Sequence, residues 1–200
     1  EFPDAEVTMT DVSPKALSTA MGNAQINEVF SRCIFLQGDM FDAIPEQKRF
    51  DMILSNPPYI ESDVIETLST EVKDHEPRLA LDGGADGLTF YRILAENAEK
   101  HLADGGYLMM EIGCDQGEAV RQLLEENENY STAVVLQDLN HLDRIVIAER
   151  KAPPLIRHGK HLRAAVHADH IIAFLCQKLR QRAGSASQIQ HQTIVDPIFL

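Results

Sequence analysis

The chain has 200 residues, 44% of them hydrophobic and 24% charged, with a formal net charge of −13. That is apolar material for one ordinary domain, or a domain with an appendage, and the chain shows no internal repeat or low-complexity tract. No apolar run approaches a membrane span, EFPDAEV carries no targeting pattern, and three dispersed cysteines without a CxxC pair predict a reducing, cytoplasmic setting.

The charge is unevenly spread. Residues 1–150 hold 11 Lys and Arg against 29 Asp and Glu, a net of −18; residues 151–200 hold 7 against 2, a net of +5. The shift predicts a boundary near Arg150, with a main domain over 1–150 and a basic, His-rich tail over 151–200. So acidic a main part argues against direct nucleic-acid binding, which rests on neutralising phosphates.

From 1 to 150 the pattern alternates strand and helix. AEVTMTDV (5–12) reads as a strand. Ser13-Pro14 opens a helix, with Ser as cap and Pro in the first turn. CIFLQGD (33–39) is a second strand. FDMILSN (50–56) is a third, its near-continuous apolar run suited to a strand covered on both faces. ESDVIETLS is a short acidic helix or lid. DGLTFYRILAENAEKHL (86–102) is a long amphipathic helix ended by DGG at 104–106, and GYLMMEIG (106–113) is a fourth strand. DQGEAVRQLLEEN is a further helix, and STAVVLQDL with DRIVIAER forms a closing antiparallel pair. This alternation predicts a doubly wound α/β sheet, whose ligands bind beyond the carboxyl ends of the strands. Asp11, Asp39, Asn56-Pro57-Pro58-Tyr59 and Glu111 fall at those ends. In the tail, LRAAVHADHIIAFLCQKLRQR reads as one basic helix with a solvated face. The pairs His158/His161 and His167/His170, with Cys176, lack a full ligand set at a known spacing, so no metal site is assigned.

The stretch SNPPYI (55–60) carries the chemistry. Neither proline can continue a central strand, so Pro57 and Pro58 impose a rigid, extended exit. That exit fixes two acceptors, the Asn56 side-chain carbonyl and the Pro57 backbone carbonyl, which suit the two donors of a planar NH₂ group. Tyr59 adds an aromatic face for a flat substrate. The lone pair of an amide or exocyclic amine is delocalised. Acceptors that hold both N–H bonds aim that weak nucleophile and stabilise charge as it attacks.

An [ND]-P-P-[YFW] motif after a strand resembles the nitrogen-methylating branch of S-adenosylmethionine-dependent methyltransferases. TDVSPKAL, GDMFDAI, FDMILSNPPYI, HEPRLALDGGADGLTFYR and GYLMMEIG follow one another as in release-factor glutamine methyltransferases, over about residues 3–150. The resemblance implies a Rossmann-like class I methyltransferase sheet with an antiparallel C-terminal strand pair and S-adenosyl-L-methionine as cofactor. It implies methyl transfer to the side-chain amide of the GGQ glutamine of peptide chain release factors, the partners. Asp11 matches the residue on the cofactor ribose, and Asp39 with Met40 the segment beside the adenine. Asn56 adjoins the cofactor too and, with Pro57, Pro58 and Tyr59, holds the substrate amide; Glu76 lies in a segment that shapes the site. Glu111 reads as structural. The family's glycine-rich cofactor loop and N-terminal domain have no counterpart, so the sheet is expected to be N-terminally truncated, with a strand lacking between those ending at Asp11 and Asn56. Two alternatives stand beside this reading: an adenine-N6 nucleic-acid methyltransferase, because adenine also offers a planar NH₂, and an inactive methyltransferase fragment.

Overall fold

The computed structural model describes residues 4–73 and 75–152. These residues fall into two compact units, one running to Lys48 and the other beginning at Arg49. The basic helix and histidine pairs expected in the tail lie outside the described residues.

In the first unit, β1 (Val7–Asp11) leads through Ser13 into α1 (Pro14–Ile26). The Ser13 side chain accepts from the Ala16 amide at 3.3 Å, and Pro14 sits in the first turn where its missing N–H costs nothing. Such a cap is worth about 1 kcal/mol. α1 buries Leu17 and Ala24, the best-covered side chains of this unit. A short 3-10 turn (Phe30–Arg32) then feeds β2 (Cys33–Gln37), which runs parallel to β1 from Val7↔Cys33 to Asp11↔Gln37. Phe30 and Phe35 stack with centroids 5.7 Å apart. Among the described residues, β2 is the one strand neighbour of β1.

In the second unit, β3 (Phe50–Ser55) is followed by three single-turn helices, α2 (Ser62–Ile65), α3 (Thr70–Lys73) and α4 (Arg78–Leu81). Then come α5 (Thr89–Asn97), β4 (Leu102–Glu111), α6 (Gly117–Glu125), β5 (Val134–Gln137) and β6 (Asp143–Glu149). The sheet order is β3-β4-β6-β5, with β3 and β4 parallel and β6 antiparallel to both its neighbours. The expected closing pair is therefore present. The core lies around β4, where Leu108, Met110, Val120, Leu124 and Val146 are all fully buried. Each such side chain contributes about 1.5–3 kcal/mol.

One boundary differs from the sequence reading. α5 ends at Asn97, a 3-10 turn covers Ala98–Lys100, and β4 starts at Leu102, so the DGG lies inside a strand. The Phe50 amide donates to the His101 carbonyl at 2.8 Å, and Leu102 pairs with Phe50; both interactions draw this stretch into the sheet. The register then slips between Phe50 and Met52, whose partner is Tyr107. Gly105 takes up the slip at φ +77°, and a Cβ on Gly106 would sit 3.1 Å from the carbonyl oxygens of both Phe50 and Asp51. Tyr91, Leu94, Ala95, Ala98 and Leu102 are nonetheless buried, as their spacing implied. No helix among the described residues is long and apolar enough to cross a membrane.

Candidate active site

In the first unit the parallel pairing brings Asp11 and Asp39 to one sheet edge. The Gly38 amide donates to the Asp11 carbonyl at 3.2 Å, which extends the ladder past Gln37. Asp39 is exposed and Met40 follows at φ +46°, a left-handed conformation that costs a side-chain-bearing residue roughly 1–2 kcal/mol. Asp11 spends one carboxylate oxygen locally: its Oδ1 accepts from the Ser13 amide at 2.7 Å. This is the turn role open to any Asp before a helix, and it engages one oxygen of two.

In the second unit the carboxyl ends of β3 and β4 lie side by side, with Ser55 opposite Met110. Asn56 leaves this edge exposed, Pro57 is buried, and Tyr59 is half-buried. The exit is clamped by the DGG-ADG stretch. The Ile60 amide donates to the Leu81 carbonyl at 3.0 Å, and the Gly83 amide donates to the Ile60 carbonyl at 2.8 Å. The Asp82 Oδ1 accepts from the Ser62 hydroxyl at 2.6 Å and from the Gly84 amide at 3.0 Å. These bonds hold the Asp82 carboxyl below the usual range, the Ser62 hydroxyl first and the Gly84 amide next, with Arg78 a smaller influence. A Cβ on Gly83 would stand 2.7 Å from the Tyr59 Cα, and one on Gly87 would stand 2.5 Å from the Tyr59 carbonyl oxygen. Glycine is needed at both positions because the backbone of Tyr59 passes too close for any side chain.

The Tyr59 ring lies in a charged setting. The Arg144 guanidinium, the Glu111 carboxylate and Cys114 all act on its hydroxyl. Burial pushes the phenol pKa up first and Glu111 pushes it further, while Arg144 opposes both. Arg144 is held in turn by the Ile112 carbonyl at 3.3 Å and by the Asp138 carboxylate at 3.7 Å. The Tyr91 hydroxyl donates to the Glu111 backbone carbonyl at 2.9 Å. Burial, followed by Tyr59 and Glu111, raises the Tyr91 phenol pKa as well.

Asn56, Pro57, Pro58, Tyr59 and Glu111 thus share one sheet edge, and Asp11, Asp39 and Met40 share the other unit's edge. Glu76 sits half-buried between α3 and α4, its amide on the Val72 carbonyl at 3.0 Å. Among the described residues no group of three or more His, Cys, Asp or Glu side chains is placed to hold a metal ion. Sequence reasoning passed over Arg144 and Gln116, whose Nε2 donates to the Tyr59 carbonyl at 3.0 Å. Gln116 lies 57 residues beyond Tyr59, and no local pattern marks so distant a partner.

A family model described as "Methyltransferase domain" matches residues 1–168. The chain is 46% identical over 152 residues to the release factor glutamine methyltransferase of Cereibacter sphaeroides, covering 76% of this chain and 54% of that one. It is 40% identical over 146 residues to the release factor glutamine methyltransferase of Geobacter sulfurreducens, covering 73% and 50%. The chain therefore spans about half the length of these curated relatives. A methyltransferase from Pyrococcus furiosus shares the fold, with a TM-score of 0.53 at 18% identity, over 76% of this chain and 66% of that one. With 168 of its 200 residues matched by the family model, the chain belongs to the methyltransferase-domain family.

Proposed function

We propose that the chain is the catalytic portion of an S-adenosylmethionine-dependent methyltransferase that modifies the side-chain amide nitrogen of the GGQ glutamine in peptide chain release factors. One observation carries this reading: an Asn-Pro-Pro-Tyr exit, clamped through its backbone, at the carboxyl edge of a parallel strand pair. The names of the relatives supply the substrate class.

In this reading the Asn56 side-chain carbonyl and the Pro57 backbone carbonyl accept the two N–H bonds of the glutamine amide. They aim the nitrogen lone pair and stabilise the positive character it gains, and one of its protons then leaves to water. Tyr59 packs on the flat amide, and Glu76 shapes the surrounding pocket. The donor set also suits the cofactor. Asp11 ends β1 and Asp39 follows the end of β2 beside it, so their carboxylates would accept from the ribose hydroxyls, with Met40 toward the base. When bound, S-adenosylmethionine supplies a methyl group on a sulfonium sulfur, which keeps the electron pair of the broken bond.

The test uses the purified chain with S-adenosylmethionine carrying a labelled methyl group, a release factor with its GGQ loop, and duplex DNA. Label on the GGQ glutamine, lost on Asn56→Ala, is the expected result. Label on adenine alone would transfer the assignment to nucleic acid. No binding of the cofactor by calorimetry, for the wild type as for Asp11→Ala, would leave this chain without the activity.

A further inference from the structure

We propose that Gln116 is a positioning residue of the transfer site, acting through the backbone carbonyl of Tyr59. The inference rests on the methyl-transfer reading for its consequence in catalysis, but not for its geometry. The Gln116 amide makes four polar contacts, three of them hydrogen bonds that use both its N–H donors and one acceptor position. Its Nε2 donates to the Tyr59 carbonyl at 3.0 Å and to the Gly87 carbonyl at 3.3 Å. Its Oε1 accepts from the Gly113 amide at 3.0 Å and lies 3.5 Å from the Tyr91 hydroxyl, whose proton goes to the Glu111 carbonyl. Turning the amide over would set an NH₂ against the Gly113 N–H and an oxygen against two carbonyls, so only one orientation fits.

One side chain thus ties together the exit of β3, the glycine stretch before α5 and the loop after β4. The backbone has made room for it: Gly87 lies at φ +69°, and a Cβ there would be 2.6 Å from Gln116 Nε2. The bond to the Tyr59 carbonyl fixes the peptide plane between Tyr59 and Ile60. That plane sets the direction in which the Tyr59 side chain leaves the chain. Tyr59 is therefore pinned at its backbone carbonyl. In the proposed site its ring orientation governs how the flat amide lies against Asn56 and Pro57. A misplacement of about 1 Å costs on the order of 10²-fold in rate.

The experiment compares Gln116→Met and Gln116→Glu with the wild-type chain. It reads backbone amide exchange by NMR, together with kcat and KM for labelled methyl transfer to a GGQ release factor. Gln116→Met removes all four contacts at similar size. It is expected to speed exchange at Ile60, Gly83 and Gly113 about tenfold while the β4 amides of Leu108 and Met110 keep their protection. The expected loss in kcat is on the order of 10²-fold, with KM for S-adenosylmethionine unchanged. Gln116→Glu keeps an acceptor for Gly113 but has no donor for Tyr59, so Ile60 and Gly83 should open while Gly113 stays protected. Unchanged exchange at Ile60 and Gly83 overturns the proposal, as does a uniform rise that includes β4. Local opening with kcat intact overturns it too. If the wild-type chain transfers no methyl group, the methyl-transfer reading falls, and the exchange pattern still decides whether Gln116 sets Tyr59.

Discussion

Replacing Gly87 by alanine tests whether the glycine stretch is shaped by the Tyr59 backbone or only by its own turn. Gly87 and Gly105 share a left-handed backbone, at φ +69° and φ +77°. Alanine in that region costs roughly 1–2 kcal/mol at either position. The surroundings differ. A Cβ at Gly105 finds its nearest atom, Glu149 Oε1, at 3.7 Å, which is ordinary contact. A Cβ at Gly87 meets the Tyr59 carbonyl oxygen at 2.5 Å and Gln116 Nε2 at 2.6 Å, so one of them must move by nearly 1 Å. Such a displacement breaks the hydrogen bond between them, 3.0 Å long, and weakens that from Gln116 to the Gly87 carbonyl. At about 1 kcal/mol each, these losses add about 2 kcal/mol that Gly105→Ala does not suffer. Urea denaturation of the two variants should show Gly87→Ala about 2 kcal/mol less stable than Gly105→Ala at equal m-value. Equal stability of the two variants would refute the close approach as the reason for glycine at 87.

Three further outcomes follow from the charged groups around this edge. The folded pKa of Asp82 lies below the ordinary aspartate value of about 3.9, so its contribution to stability is present above about pH 4 and is lost as the pH falls through the folded value. Asp82→Asn should therefore lose less stability than the wild type between pH 5 and pH 2, on the order of the acid range of one carboxylate, in parallel denaturation curves; identical acid limbs would count against it. Arg144→Met should cost about 1–3 kcal/mol, because the Ile112 carbonyl loses a donor and the Asp138 carboxylate loses its ion partner. The same variant should raise the Tyr59 phenol pKa further, since the guanidinium opposed burial and Glu111, and an NMR titration with labelled tyrosine showing a lower midpoint would contradict this placement.

Much of the molecule was legible in the sequence because it is local. Ser13-Pro14 opens α1 where a capping residue and a proline in the first turn require it. The apolar run before Asn56 makes a strand, and the two short runs after residue 130 make an antiparallel pair. The double proline ends β3 wherever it is placed, because proline has no N–H to offer a neighbour. The hydrophobic face of 88–102 was also correct as a set of buried residues from Tyr91 onward, while Leu88 is half-buried. Its division into helix and strand was not, because Leu102 has Phe50, 52 positions earlier, as its sheet partner.

Tertiary structure alone decided how the exit is held. Glu111 read as a structural strand end, yet the fold sets its carboxylate beside Tyr59, where it raises the phenol pKa. The fold shows that residues 83 and 87 are glycine because the backbone of Tyr59 occupies the space of a side chain. Gln116 and Arg144 carry no local signature, since a hydrogen bond across 57 residues leaves no periodicity or spacing in the chain. Sequence by itself offered the Asn56 side-chain carbonyl and the Pro57 backbone carbonyl as hydrogen-bond acceptors, because proline chemistry and the asparagine amide are properties of single residues. The fold determined how the backbone just beyond them, at Tyr59 and Ile60, is held, because that depends on partners brought close only when the sheet and its loops have packed.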